Sequence, residues 1–494
     1  MKHYHIIAHG LLFCSAVACA VAVRAAEEPA PATLHYRPRV GVFADPIPLF
    51  HKGDYHVFYL RGSIGPVPWE HIVSKDLVHW KALPTALRPD GEPNGPDGQN
   101  MFTGSAVEGL GQFHIFYTGD NGRNRQGTEF IMHATSPDLV HWTKHPQDML
   151  APDGIQYKNA PQRDFRDPYV FWNDGEKCFW MVFFANDAKS GAGVQGLAVS
   201  DDLKHWRFQP PLAGAPGQEC PDLFRIGDTW YLIGGDGFSF AKQPRGPYKA
   251  PPVCRQLDRP QVYAAKRMFD GKRHIWTGWI WDTSNGRDGG PGIWGGWQCL
   301  PREIYAGPAG QLYCRPVEEA LALFTKTVIG PVTKPLVAAD HGGSPAADFD
   351  VPDSYLLDCK LRLDRRAVLT IGFRRQPGQT NSGYRLVLRP AAGKAELSGP
   401  GFRYTRPCAF DTQRPVKFQA FVQGTIIECF INDQFACTCR AYDFPKGRLG
   451  ISVEGGSAAL VDLAVKVVDE NGREGEHECP RDRLSPALPD RRSL

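Results

Sequence analysis

The chain has 494 residues, 42% of them apolar and 11% aromatic, which is long enough for two or three domains with sizeable cores. Its 56 basic and 53 acidic side chains leave a net charge of only +3, and no clustered basic run accompanies them, which argues against nucleic acid as a partner. The 52 glycines and 42 prolines favour many short strands and turns over long helices.

Residues 1–25 are typical of an export signal. A basic start at Lys2 precedes an apolar run over 11–23, and small residues follow, so that cleavage after Ala20 or Ala25 is expected. The apolar run is shorter than the roughly 20 residues of a membrane-spanning helix, so we predict a secreted or periplasmic protein without a membrane span. A lipoprotein anchored through Cys19 is the alternative, although no Leu stands three positions before that cysteine.

A pattern S-x-D-L-x-H-W occurs three times, beginning at Ser74, Ser136 and Ser200, which is about every 63 residues. Periods of this size indicate repeated supersecondary units. Because the number of these acids and histidines follows the number of repeats, we interpret them as parts of a structural turn. They are Asp76, His79, Asp138, His141, Asp202 and His205.

A second pattern interleaves with the first, and each of its copies is a strand, a tight turn and an aromatic-rich strand. Three copies open on an acid, at Asp45, Asp167 and Glu219, and two degenerate copies begin at Phe102 and Val262. With two more strands before the next copy, each unit has the make-up of a four-stranded propeller blade. The sequence therefore predicts an all-β fold that begins with a five-bladed β-propeller over residues 36–320.

The sequence pattern changes near Tyr355, where segments with alternating apolar and polar residues begin. Their length is typical of the strands of a β-sandwich. Gly424 and Asn432-Asp433 mark turns between them. These features predict a β-sandwich over residues 325–468, joined to the propeller by a short helix within 317–324. Residues 469–494 are polar and rich in Arg and Pro, so we expect a disordered tail.

The three acids that open copies of the second pattern are expected to share one register and to meet at one mouth of the central channel. Carboxylates at such short distances repel each other unless one of them is protonated. Glycoside hydrolysis needs such a division, with one acid to protonate the leaving oxygen and one carboxylate to attack or to activate water. An Asp before Pro can also simply cap a turn, but acids in three matched copies favour chemistry.

Four short segments of the predicted propeller stand out, FTGS at 102–105, FRDP at 165–168, ECPDLF at 219–224 and LPRE at 300–303. A fifth, ECFIND at 428–433, lies in the predicted sandwich. Together they resemble glycoside hydrolase family 32, the β-fructosidases that include invertases, inulinases and levanases. The resemblance covers about residues 36–468.

The resemblance implies Asp45 as nucleophile, Asp167 as transition-state stabiliser and Glu219 as acid/base, in a retaining reaction through a covalent fructosyl-enzyme. It implies a fructan or other furanoside as substrate, and neither cofactor nor metal. The oligomeric state stays open. Sugar contacts are expected from Trp69, Phe102, Thr103, Arg166 and Tyr263.

The first motif departs from the family pattern, which usually is W-M-N-D-P-N-G. Ala44 stands where the family has Asn, Ile47-Pro48 replaces Asn-Gly, and Leu60 replaces a Gln of the next strand. We therefore expect an altered sugar-binding shell and weak sucrose hydrolysis. A propeller glycosidase acting on another furanoside, such as an arabinan, is an alternative. A non-catalytic sugar-binding propeller is a second one, which retention of all three acids opposes.

Overall fold

The structure, a computed structural model, describes residues 34–62, 66–92, 95–120, 129–159, 164–235, 237–258, 261–336, 346–377, 379 and 382–469. The predicted export signal (1–25) and all of the predicted tail but residue 469 lie outside these ranges. The regular secondary structure of these ranges is almost entirely antiparallel strand, as predicted. Within the same ranges, no helix combines the length and the apolarity that crossing a bilayer requires.

The first part of the described chain forms five groups of strands, one for each copy of the second pattern. They are β1 (Phe43–His51), β2 (Asp54–Arg61), β3 (Trp69–Ser74) and β4 (Lys81–Leu87); β5 (Asn100–Gly109), β6 (Gln112–Asp120), β7 (Phe130–Ser136) and β8 (Thr143–Lys144); β9 (Phe165–Asn173), β10 (Cys178–Asn186), β11 (Gly193–Ser200) and β12 (Arg207–Gln209); β13 (Asp222–Ile226), β14 (Thr229–Gly234) and β15 (Gly237–Ala241); and β16 (Val262–Phe269), β17 (His274–Thr283), β18 (Gly292–Gln298), β19 (Arg302–Ala306) and β20 (Leu312–Pro316).

Every copy of the second pattern forms the predicted hairpin between its first two strands. The second and third copies each build a four-stranded sheet, and the fourth builds a three-stranded one. The first and fifth copies share a nine-stranded sheet, because Phe43 of β1 pairs with Gly296 of β18. Four of the five opening strands lie side by side, since β1 contacts β5 and β16, and β5 contacts β9.

The S-x-D-L-x-H-W segments form three equivalent turns, which confirms the structural role predicted for them. In each, one Asp oxygen accepts hydrogen bonds from the backbone N–H groups two and three residues later, and the other contacts the His side chain. The following leucines, Leu77, Leu139 and Leu203, take left-handed φ values of 65°, 66° and 63°. The side-chain cap therefore stabilises a tight turn in each copy.

The second part follows α1 (Glu318–Ala322), which lies within the predicted linker helix. Two six-stranded antiparallel sheets, in the orders β21-β32-β23-β28-β29-β30 and β22-β31-β24-β25-β26-β27, contribute to one hydrophobic core. Their strands are β21 (Lys326–Leu336), β22 (Ala347–Phe349), β23 (Tyr355–Leu363), β24 (Val368–Arg375), β25 (Tyr384–Arg389), β26 (Lys394–Gly399), β27 (Phe402–Pro407), β28 (Val416–Gln423), β29 (Ile426–Ile431), β30 (Phe435–Arg440), β31 (Arg448–Glu454) and β32 (Ala458–Val467).

A buried ionic cluster joins the two parts. The guanidinium of Arg302, which is 0% exposed, lies 2.7 Å from Glu428 Oε2 and 2.7 Å from Asp258 Oδ2. Glu428 also accepts a hydrogen bond of 3.0 Å from the Leu300 backbone N–H. Burial raises the pKa of Glu428, but the charge of Arg302, the contact with His35 and the Leu300 N–H together outweigh it and bring that pKa to about 2. The LPRE and ECFIND segments thus meet in a structural contact.

Candidate active site

The opening strands share a local distortion close to their N-terminal ends. A β-bulge interrupts the pairing of β1 after Ala44, of β9 after Arg166 and of β16 after Tyr263. The next residues, Asp45 and Asp167, have φ values of 40° and 61°, which non-glycine residues rarely adopt. Bulges re-aim side chains, and strain of this kind is concentrated at functional sites. The distortion therefore marks one end of the opening strands as a candidate site.

In the fourth copy the residue with this conformation is Cys220, whose φ is 54°. Each of Asp45, Asp167 and Cys220 is followed by a proline, so the proline sets the register. The expectation that all three acids share one register is therefore wrong for Glu219, which lies one residue earlier. Comparing the proline positions in the sequence would have revealed the offset.

Two layers of residues line the site. One layer comes from the residue with the left-handed conformation and its equivalents in the other copies, and the other layer comes from the residue before it. The inner layer consists of Asp45, Thr103, Asp167, Cys220 and Ala264, and the outer layer of Ala44, Phe102, Arg166, Glu219 and Tyr263. Most of the residues predicted for the site, all except Trp69, fall into these two layers. Hydrogen bonds between copies join Thr103 to Asp45, Cys220 to Asp167 and Tyr263 to Glu219.

Asp45 is the most enclosed acid of the first copy, with 6% of its surface exposed. Its Oδ1 accepts a hydrogen bond of 2.8 Å from Trp279 Nε1, and its Oδ2 accepts one from the Thr103 hydroxyl. Burial raises the pKa of Asp45 to about 7, against the effect of these two donors and with a further contribution from the charge of Asp167. Trp279 was not predicted, because it lies outside the repeated positions.

Asp167 is equally enclosed, with 4% of its surface exposed. Its Oδ2 accepts a hydrogen bond of 2.8 Å from the Cys220 backbone N–H, and its own N–H donates to Thr118 Oγ1 at 2.8 Å. Burial raises the pKa of Asp167, while the positive charge of Arg166 opposes that rise. The inner layer thus holds two buried carboxyl groups.

Glu219 differs from both, because 41% of its side chain is exposed. Tyr263 donates its hydroxyl to Oε2 at 2.6 Å, and Arg166 Nη1 lies 3.3 Å from Oε1. Arg166 also lies 3.2 Å from Oε2 of Glu129. Burial raises the pKa of Glu129 to about 7, against the charge of Arg166. Nothing in the repeat marks Glu129, so the sequence did not predict it.

An aromatic wall faces these polar groups. The ring of Trp294, from β18, lies 6.4 Å from those of Phe102 and Trp279. Trp69 is fully buried behind Phe102 and donates its indole N–H to the Phe102 carbonyl at 3.2 Å. Any effect of Trp69 on a sugar would therefore pass through Phe102. The wall continues to Trp281, which lies 5.6 Å from Tyr263.

Two of the residues that depart from the family pattern are cross-strand partners, Ala44 opposite Leu60. Both are 0% exposed. Gly295 covers Ala44, since a Cβ added at Gly295 would lie 3.5 Å from the Ala44 Cβ and only 2.3 Å from Val42 Cγ2. Ala44 is thus covered by β18, the strand that also carries Trp294 of the aromatic wall.

A cleft of about 410 Å³ opens beside Trp281, between the two parts of the chain. Phe402 and Tyr404 of β27 form its far side, and Gln261 donates a hydrogen bond of 2.6 Å to the Tyr404 hydroxyl. The site therefore combines buried carboxyl groups, one exposed carboxyl group and aromatic surface of the kind on which sugar rings stack.

Comparisons with known proteins agree with this chemistry. The model of the N-terminal domain of glycosyl hydrolases family 32 matches residues 35–316, more than half of the chain. The sucrose-6-phosphate hydrolase of Zymomonas mobilis is 28% identical over 85% of this chain and 89% of its own. The raffinose invertase of Escherichia coli is 28% identical over 87% and 93%.

Among solved structures, fructan 1-exohydrolase IIa from Cichorium intybus superposes with a TM-score of 0.71, over 90% of this chain and 98% of that chain. Its identity to this chain is 19%, so this likeness concerns the fold alone. The family match over 35–316, however, confirms the resemblance inferred from the sequence segments. The chain belongs to glycoside hydrolase family 32 and is a glycosidase of the β-fructosidase-like kind.

Proposed function

We propose that the chain is a secreted, retaining hydrolase of β-fructofuranosidic bonds in fructans or fructosides. Asp45 is the nucleophile, Asp167 stabilises the transition state and Glu219 is the acid/base. One observation carries the proposal. Two buried carboxyl groups lie one layer beneath a third that is open to solvent, and all three are oriented by hydrogen bonds.

The environment of each acid suits its role. Both oxygens of Asp45 accept hydrogen bonds, which fixes the carboxylate, and its burial leaves the ionised form poorly hydrated and therefore reactive. Glu219 is open to the leaving group and to water, with which it must exchange a proton. Asp167 is buried near both, where a fixed negative charge stabilises an oxocarbenium-like transition state strongly.

The reaction follows in two steps. Glu219 protonates the leaving oxygen while Asp45 attacks the anomeric carbon, so that the glycosidic bond breaks as a covalent glycosyl-enzyme forms. Glu219, now ionised, then takes a proton from water, and the water oxygen displaces Asp45 from the same carbon. The two inversions leave the anomeric configuration unchanged.

The architecture belongs to the same proposal, namely a five-bladed propeller over 36–320 and a β-sandwich over 325–468. The five hairpins and the pairing of the first copy with the fifth at Phe43 and Gly296 support a closed ring. An export signal at 1–25, a tail at 469–494 and a secreted or periplasmic location remain predictions from the sequence.

We favour a fructan over sucrose as the substrate. Two curated relatives are named for sucrose 6-phosphate and raffinose, and the matched exohydrolase was solved with 1-kestose. In this chain Ala44 and Leu60 offer no polar group to a fructosyl unit. The cleft bounded by Trp281 and Tyr404 has room for further sugar units, which would add binding energy.

The test uses the purified full-length chain with sucrose, inulin, levan and aryl furanosides, and measures released sugar. We expect fructose from fructans, loss of activity in Asp45→Asn, and retained configuration in the first product seen by NMR. Preference for arabinofuranosides would favour the other furanoside specificity. Binding without hydrolysis would favour a sugar-binding propeller, and an inverted product would reject Asp45 as nucleophile.

A further inference from the structure

Lys266 of β16 is a buried lysine directly beneath the inner layer, with 1% of its surface exposed. Its ammonium donates a hydrogen bond of 2.7 Å to the carbonyl of Pro221 and lies 5.5 Å from the centre of the Tyr169 ring. Neither group carries a charge. Since an ammonium is expensive to bury without an opposite charge nearby, its counter-charge must come from the acids around Pro221.

Two buried acids flank this position, Asp167 and Asp222. Asp222 has a cation of its own, because Arg267 donates its backbone N–H to it at 2.7 Å and places Nε 3.5 Å away. Arg166 is the cation that acts most strongly on Asp167, but its guanidinium also faces Glu219 and Glu129. Lys266 adds a second positive charge beneath Asp167, and the same charge acts on Asp222.

The hydrogen bond to Pro221 also acts through the backbone. Pro221 follows Cys220, whose left-handed conformation directs its N–H at Asp167 Oδ2. The residue before Cys220 is Glu219, whose carbonyl accepts a hydrogen bond of 2.8 Å from the Gly235 N–H. The Lys266 ammonium therefore fixes the segment 219–221, which donates a hydrogen bond to Asp167 and carries Glu219.

We propose that Lys266 is a positioning residue for the hydrolysis: it holds the Cys220-Pro221 turn and keeps a positive charge beneath Asp167. The proposal rests on the function assigned to Asp167 and Glu219 above. Lys266 acts from the side opposite the sugar, since it lines a separate cavity of about 170 Å³ together with Tyr169 and Arg267.

The experiment compares Lys266→Met, Lys266→Gln and Lys266→Arg, with Arg267→Met as a matched control. Arg267 is the adjacent cation, but its partners are Asp222 and Tyr169. We expect Lys266→Met to lower kcat on inulin by about 10- to 100-fold with KM changed less than about threefold, because a charge that matters mainly in the transition state affects kcat. Arg267→Met should lose thermal stability but keep its kcat.

The pH profile separates a charge effect from a structural one. The charged groups around Asp167 are Arg166, Lys266 and Glu219, with Asp45 and Glu129 further out. Removing one cation from this set disfavours the ionised acid, so the acid limb of kcat should move to higher pH in Lys266→Met and Lys266→Gln. Lys266→Arg, which retains the charge, should restore the position of the limb.

A second comparison repeats Lys266→Met in an Asp167→Asn background, where the additional loss should be less than about threefold because the interaction partner is already gone. The full loss in that background, or wild-type kcat and pH profile in any folded Lys266→Met or Lys266→Gln variant, would overturn the proposal. Should Lys266→Met fail to fold, Lys266→Gln carries the test. Wild-type activity of Asp167→Asn alone would instead refute the proposed function.

Discussion

Tyr263 and Trp279 are cross-strand neighbours in the hairpin of β16 and β17, and each donates a hydrogen bond to a different carboxyl group of the site. The Tyr263 hydroxyl lies 2.6 Å from Glu219 Oε2, and Trp279 Nε1 lies 2.8 Å from Asp45 Oδ1. Their rings meet edge-on, 5.7 Å apart. One rigid hairpin thus fixes the proposed acid/base relative to the proposed nucleophile, because it holds both.

Glu219→Gln tests the acid. Turnover on substrates with poor leaving groups should fall by about 10²-fold or more, since the proton must come from this side chain. Substrates with good leaving groups, such as nitrophenyl furanosides, should lose much less. Glu108→Gln is the control, because Glu108 is an exposed acid elsewhere in β5. Equal loss on both kinds of substrate would show that Glu219 is not the general acid.

Trp279→Phe tests the support of the nucleophile. The attacking form of Asp45 is the carboxylate, whose pKa burial raises to about 7 and which the indole N–H stabilises. Loss of that donor should raise this pKa further, so the acid limb of kcat/KM should move up by about one pH unit. Trp281→Phe, two residues along β17 and also packed on Tyr263, provides a control with an unchanged limb. The same limb in Trp279→Phe and the wild type would contradict the assignment.

Asp45→Asn should abolish turnover and stabilise the fold at neutral pH. The pKa of Asp45 is about 7 in the folded chain, against 3.8 for an unperturbed Asp. The folded state therefore binds this proton more tightly than the unfolded state does. The contribution of Asp45 to stability is therefore highest below pH 4 and falls as pH rises through 7. At pH 8 the free energy of unfolding of Asp45→Asn should exceed that of the wild type by about 1–4 kcal/mol.

Thermal unfolding of Asp45→Asn and wild type at pH 5 and pH 8 measures this difference, which should grow with pH. Asp138→Asn should show the opposite sign, since backbone hydrogen bonds from the His141 turn lower the pKa of Asp138. A gain for Asp45→Asn that is the same at both pH values would mean that burial does not perturb its titration.

The features that could be predicted from the sequence are mainly those that repeat in it. The hairpins and the capped turns recur in several copies, so a single chain supplied its own internal comparison, and the structure confirms them. Asp45 and Asp167 were found for the same reason, since each opens a copy before a proline. Glu219 was found as a residue, but its register was not, because the cysteine that takes the Asp position has no carboxyl group to mark it.

The remaining site residues come from positions without a repeat. Trp279 and Trp294 stand on the second and third strands of the last copy, and only the fold brings them to Asp45 and Phe102. Glu129 lies beside Arg166 through contacts between copies. Burial of Ala44 likewise depends on β18, whose approach to β1 is a long-range pairing that composition and spacing do not encode.

Arg302→Met tests the link between the two parts of the chain. It would leave Glu428 and Asp258 buried without their cation, which should cost about 3–5 kcal/mol of unfolding free energy. Arg315→Met is a control, because that half-exposed pair with Glu303 should contribute about 1 kcal/mol or less. Denaturant unfolding measures both. Equal, small losses would show that the buried cluster is not required for stability.

The final prediction concerns the chain length of the substrate. Ala44 and Leu60 are fully buried and carry no polar side-chain group, so we expect a fructosyl hydroxyl to lack a partner there. That loss should cost about 1–3 kcal/mol, and sucrose should be a weak substrate. An oligomer can recover binding energy through units that occupy the cleft beside Trp281. We therefore expect kcat/KM to rise at least about tenfold from sucrose through 1-kestose to inulin. In Tyr404→Ala, which removes one side of the cleft, this rise should disappear while the low activity on sucrose stays the same. Sucrose turnover as fast as that of inulin in the wild-type chain would show that other side chains replace the lost amides, and that the cleft is not where specificity arises.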